Sequence, residues 1–212
     1  MQLSGSRHAT IAAISCALIA GTVQASPVPG QGTWETTLQP LDLDGDTVTD
    51  AFYDTDLKIT WLRDANLNGK MTWADALKWA DDFSLGGYSD WRLPAGNQCG
   101  GYFCSNSEMG HLWYYSLGNP PGGPMSNTGP FQNMMADFYW TGTEAEGAPG
   151  QGMMWSNDYG AQGYMGGNPA YQTYATLVRG PAAIPEPGSY ALMLAGLSAV
   201  AALSWRRRKP YR

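Results

Sequence analysis

The chain has 212 residues, enough for one domain with its own core plus terminal extensions, and 18 acidic against 12 basic residues give a net charge of −6. All the acidic residues fall between Glu35 and Glu186, whereas Arg7, Arg206, Arg207, Arg208, Lys209 and Arg212 lie outside that stretch, so the central region alone carries −12. Such a surface repels nucleic acid and other polyanions and attracts cations, which excludes a DNA- or heparin-type function.

At the N-terminus, Arg7 and His8 precede the apolar stretch Ile11 to Ala20, and Val23-Gln24-Ala25 places small residues where a signal peptidase reads. Residues 1–25 are expected to be a signal peptide, with Ser26 the first mature residue. Ala13-Ile14-Ser15 is a poor lipobox and the apolar run continues past Cys16, which argues against a lipoprotein. Pro27, Pro29, Gly30 and Gly32 make residues 26–40 an extended leader, and the domain proper is expected over 41–180.

Asp42, Asp44, Asp46 and Asp50 surround the turn at Gly45, and oxygen ligands so spaced can converge on one Ca²⁺; an acidic, solvated turn is the alternative. Leu57 to Leu62 alternates and carries β-branched residues, which predicts a strand. Asp64, Asn66, Asn68 and Asp75 then match an EF-hand loop with Gly69 at its sixth position. Its twelfth position is Asp in place of Glu, and a strand precedes it, so a strand-to-helix turn capped by Thr72 is the favoured reading. Trp73, Ala76, Leu77, Ala80 and Phe83 recur at helical spacing, and Gly86-Gly87 ends that helix.

Cys99 and Cys104 are the two cysteines of the central region, and an oxidising compartment makes them a disulfide loop. A second helix is expected from about Ser107 to Leu117, with Met109, Leu112 and Trp113 as its apolar stripe. His111, on that helix, has no visible catalytic partners and reads as a helix-surface or core-edge residue. Pro120, Pro121, Gly122, Gly123 and Pro124 mark a loop. Short strands follow at Phe138 to Thr143, Met153 to Ser156, Gln162 to Met165 and Thr173 to Arg179, giving an α+β fold of two helices and short antiparallel strands. Trp155, Asn157, Tyr159, Tyr164 and Tyr171 combine rings that stack on pyranoses with amides that bond hydroxyls; filling the core is the alternative use of those rings.

Residues 181–187 form a linker that ends in Pro185-Glu186-Pro187. Gly188 to Trp205 then forms a charge-free run that rises roughly 27 Å as a helix, close to the thickness of a bilayer's hydrocarbon core, and reads as a single transmembrane helix. The basic residues in 206–212 keep that end cytoplasmic. Pro185, Glu186 and Pro187, the apolar helix with Leu192, Leu194, Gly196 and Leu197, and Arg206, Arg207 and Arg208 together resemble the PEP-CTERM sorting signal of Gram-negative surface proteins. That resemblance implies recognition and cleavage by a membrane-embedded exosortase, hence a transient inner-membrane intermediate before the cell surface or extracellular matrix. A permanent single-span anchor is the alternative.

A second resemblance covers roughly residues 40 to 180. Ile59-Thr60-Trp61-Leu62, Met71-Thr72-Trp73-Ala74-Asp75-Ala76, Gly86-Gly87-Tyr88-Ser89-Asp90-Trp91-Arg92-Leu93-Pro94, Tyr139-Trp140-Thr141-Gly142-Thr143-Glu144 and Val178-Arg179-Gly180 resemble the signatures of the domain at the C-terminus of the Lcl collagen-like adhesin, which is found in many PEP-CTERM proteins. The family is similar to C-type-lectin-like folds, which implies a compact lectin-like domain. Together the resemblances imply an exported, non-enzymatic surface or biofilm-matrix protein among exopolysaccharide, able to bind glycan or another matrix component, or else purely structural. Trp91-Arg92-Leu93-Pro94 is also similar to a segment of formylglycine-generating enzymes, which use a copper-binding cysteine pair. The corresponding reading here, an oxidoreductase using Cys99 and Cys104, lacks those enzymes' late signature at Val178-Arg179-Gly180.

Overall fold

A computed structural model describes residues 30–164 and 168–180. The signal peptide, Pro185-Glu186-Pro187, the expected transmembrane helix 188–205 and the tail 206–212 lie outside the described residues. Among the described residues no helix is long and apolar enough to cross a membrane.

The segment expected as an extended leader up to residue 40 is in part built into the fold. Trp34–Thr37 form a short helix (α1) and Leu38–Leu41 a strand (β1) that pairs antiparallel with Ala51–Asp54 (β2). Thr33 N–H donates to the Ser116 carbonyl at 2.9 Å, which ties the segment to a distant helix. Residues 30–40 are thus part of the domain, because Leu38 is buried there and β1 satisfies one edge of β2.

β2 continues through a tight turn into Ile59–Leu62 (β3), and the order β1-β2-β3-β9-β4 makes a five-stranded antiparallel sheet, with β4 at Trp91–Arg92 and β9 at Val178–Arg179. Every residue of β2 and β3 is buried. Period-two alternation divides them between two cores: Phe52, Ile59 and Trp61 enter one, Ala51 and Leu62 the other. A second antiparallel sheet has the order β5-β8-β7-β6, from Gly101–Tyr102 (β5), Phe138–Glu144 (β6), Gly152–Ser156 (β7) and Ala161–Gly163 (β8). This is the α+β architecture of short antiparallel strands expected from the sequence.

The first core holds Trp61, Trp113, Tyr139 and Trp155, all fully buried or nearly so. Burying about 200 Å² of each ring contributes up to roughly 5 kcal/mol of transfer free energy per residue. The second core lies under Trp73–Asp82 (α2), which approaches through Ala76 and Ala80. Thr72 caps α2: its hydroxyl accepts from Asp75 N–H at 3.2 Å and donates to the Asp75 carboxylate at 2.7 Å. The packed stripe is narrower than the spacing predicts. Leu77 stays exposed at the margin of that stripe, while Ala76 and Ala80 let the helix come close to the sheets and Trp73 and Phe83 flank them, Trp73 bonding Thr141 of β6 and Phe83 packing edge-on against Trp91 of β4. The second helix starts as Glu108–His111 (α3), capped by Ser107, and widens into a π-helical turn over Leu112–Ser116.

Candidate functional site

The stretch with the sugar-binding pattern is split by the fold. Trp155 and Asn157 are 0 % and 2 % exposed, so neither can meet a ligand at the surface. Trp155 lies on β7, whose five residues are all buried, and it packs against Trp113 and Tyr114. Tyr171 sits edge-on to Trp140 at 6.1 Å and supports the second core. Tyr159 and Tyr164 remain, at 50 % and 48 % exposure.

These two tyrosines meet a third from outside the stretch with the sugar-binding pattern. Tyr102, 51 % exposed, lies on β5 inside the Cys99–Cys104 loop, opposite Ala161 of β8. Tyr102, Tyr159 and Tyr164, with Phe138, Ser156 and Ala161, line a cavity of about 250 Å³. A neighbouring cavity of about 430 Å³ is lined by Gln98, Gly101, Glu146 and again Tyr164. The Asp158 carboxylate beside Tyr159 holds that phenol above its ordinary pKa, which places an acceptor next to a ring. Phe103, next to Tyr102 in the chain but outside both cavities, stacks on Tyr114 with centroids 5.8 Å apart and holds φ at +59°, a conformation costly for a bulky side chain. A signal for Tyr102 and Phe103 was present, since rings in a six-residue disulfide loop flanked by glycines have little interior to occupy.

The acidic loop assembles in part. Asp42, Asp44 and Asp50 bring carboxylate oxygens within 4.8 Å of one another, whereas Asp46 accepts from Val48 N–H and stands outside the group. Thr47 and Gly45 N–H groups donate to Asp42 and lower its pKa, so its charge is held by backbone dipoles. The EF-hand-like loop has another use. Asp75 belongs to the α2 cap, and Asp64 accepts from Asn66 N–H and from the Asn133 amide. Neither joins a three-member acidic group among the described residues. Asn68 follows Leu67 in the exposed turn that leads to Gly69, with φ +71°.

The remaining signature residues are clamps. Arg92 makes a bidentate pair with Glu108 at 2.7 Å for both bonds, and Glu108 also accepts from Ala95 N–H. Arg179, 5 % exposed, donates twice to Asp90 and lies 3.9 Å from the centroid of the Tyr88 ring. Trp73 and Trp140 indoles reach across to the Thr141 and Met71 carbonyls, both at 2.8 Å. Residues 50–179, which contain all of these clamps, match the family model of the Lcl C-terminal domain.

The chain belongs to the Lcl C-terminal domain family.

Residues 183–209 match the PEP-CTERM protein-sorting motif, the mark of an exosortase-sorted, exported surface protein. No curated protein matches the chain. Within the Lcl domain Cys99 and Cys104 are joined as a disulfide. The bond closes the loop that presents Tyr102, and the Gln162 amide fastens its base by donating to the Asn97 and Cys99 carbonyls at 2.7 and 3.0 Å.

Proposed function

We propose that the mature protein is a non-enzymatic, lectin-like component of the cell surface or extracellular matrix that binds neutral glycan chains of the exopolysaccharide through the Tyr102–Tyr159–Tyr164 rim. The observation that carries this reading is the convergence of three half-exposed tyrosines from different strands and loops on adjoining cavities. Stray surface aromatics are scattered singly, whereas flat rings beside Asp158 and Gln98 supply the stacking faces and hydroxyl partners that a pyranose uses. Tyr164 borders both cavities, which together leave room for more than one sugar unit. Anionic sugars are disfavoured by the −12 central charge unless calcium at Asp42, Asp44 and Asp50 bridges them.

Delivery in this proposal involves signal peptidase at residue 25, a transient inner-membrane stage through residues 188–205, and exosortase cleavage near Pro185-Glu186-Pro187. The C-type-lectin-like relationship of the fold belongs to the same proposal. Joining of Cys99 and Cys104 in a structural loop supports a non-enzymatic role over oxidoreductase chemistry.

A glycan array probed with the purified protein, with and without chelator, is the test. Binding to neutral polysaccharide is expected, weakened about three- to tenfold by Tyr159→Ala or Tyr164→Ala, in line with the roughly 0.5–1.5 kcal/mol of an aromatic contact. Absence of saturable binding to any glycan would leave a purely structural matrix role.

A further inference from the structure

His111 is buried at its ring nitrogen and has no hydrogen-bond partner there. Its Nε2 stands 3.8 Å from the nearer carboxylate oxygen of Asp56, too far for a hydrogen bond, although the atom itself is shielded from water. Such an orphaned polar atom destabilises a fold unless something satisfies it. Beside it lies Asp54 at the end of β2, a carboxylate with no exposed surface. Asp54 accepts from Asp56 and Leu57 N–H groups at 2.9 and 3.0 Å and, more loosely, from the Trp61 indole at 3.3 Å. No arginine or lysine is paired with it among the described residues. Lys58, the nearest cation in sequence, donates to the Thr55 carbonyl instead. Asp54, Asp56 and His111 thus offer two carboxylate oxygens and one imidazole nitrogen, all within 4.8 Å of one another.

We propose that Asp54, Asp56 and His111 form a site for one divalent transition-metal ion of the zinc class, which staples the β2–β3 turn to α3. The donor set decides the ligand class: imidazole with two carboxylates suits zinc, cobalt, nickel or manganese, whereas calcium takes oxygen donors only. Zinc bonds of about 2.0–2.1 Å place tetrahedral ligand atoms roughly 3.4 Å apart. The separation of 3.8 Å between His111 and Asp56 is therefore close to the bound geometry, and a modest rotation of the half-exposed Asp56 closes it. Two ligands are preset and one is mobile. Asp54 is oriented by two backbone N–H groups, as outer-shell donors orient metal ligands elsewhere, and His111 is fixed by the helix capped at Ser107. Asp56 faces solvent and provides the entry path. The ion would neutralise the buried Asp54 and satisfy the stranded imidazole nitrogen in one step. The acidic field of the domain favours its capture.

The test uses the untagged full-length chain in detergent, with the Cys16 thiol blocked, titrated with Zn²⁺ by calorimetry and with Co²⁺ by visible absorption. One ion per chain is expected, with cobalt bands of a nitrogen–oxygen site and no thiolate charge transfer. His111→Gln and Asp56→Asn are each expected to weaken binding at least tenfold, while Asp42→Asn leaves it unchanged. Asp56→Asn changes an exposed side chain and keeps the tryptophan core, so retained near-UV circular dichroism separates lost binding from lost folding. Zinc at a hundred times its dissociation constant should also raise the unfolding temperature of the parent chain and not of Asp56→Asn. No saturable zinc or cobalt binding by the parent chain, or stoichiometric binding that survives both His111→Gln and Asp56→Asn, overturns the proposal.

Discussion

Arg179 shows how one buried side chain fixes distant segments. Its guanidinium holds Asp90 below the ordinary carboxylate pKa, chiefly through the hydrogen bonds between them. A depressed carboxylate contributes stability that is present above about pH 4 and is lost as the pH falls through its folded value. Asp90→Asn should therefore flatten the acid limb of stability, read as urea midpoints between pH 2.5 and 6; an unchanged slope would show that the pair is screened by solvent. Gly160 makes a steric demand of another kind. It has φ +66°, and an added Cβ would lie 2.3 Å from the Trp113 indole nitrogen, which itself donates to the Pro120 carbonyl. Gly160→Ala should cost roughly 2–4 kcal/mol in denaturant unfolding, from left-handed strain together with overpacking. Neither role is legible from Arg179 or Gly160 alone, because each depends on a partner about 50 to 90 positions away in sequence.

Elements with local signals were legible. Thr72, Asp75 and the alanine stripe specify α2 within one stretch of chain, since capping and helical period are short-range properties. Thr72→Ala should destabilise by about 1 kcal/mol and Thr72→Ser by much less, measured as chemical-denaturation midpoints. β2 gave no alternating pattern because both of its faces are buried, and the two-residue strands β4 and β5 exist only through pairing with β9 and β8. The Cys99–Cys104 crosslink closes a six-residue loop, for which chain entropy gives about 2 kcal/mol. Replacing both cysteines with serine should therefore lower stability by up to that amount. Hydrogen exchange should rise around residues 97–104 while β2 and β3 stay protected.

For the whole molecule, charge was readable by counting and the exposed tyrosine rim was not. With six basic against 18 acidic residues between Glu35 and Glu186, the processed protein should pass through immobilised heparin at low salt and bind an anion exchanger; retention on heparin would contradict the neutral-glycan reading. The sorting motif at 183–209 and the domain at 50–179 were also visible directly, because each is carried by residue types in a fixed linear order. The aromatic stretch misled in part: burial took Trp155 and Asn157 into the interior and placed Tyr102, from a loop about 60 residues earlier, beside Tyr159 and Tyr164. A ring near neutral sugar and a ring in a core have the same composition and spacing. Caps and motif order thus gave export through the sorting motif, the family and α2 without coordinates, since those depend on neighbours in sequence. Which aromatics face solvent, which aspartates converge and what His111 meets were decided by long-range packing alone, because burial is a property of three-dimensional neighbours.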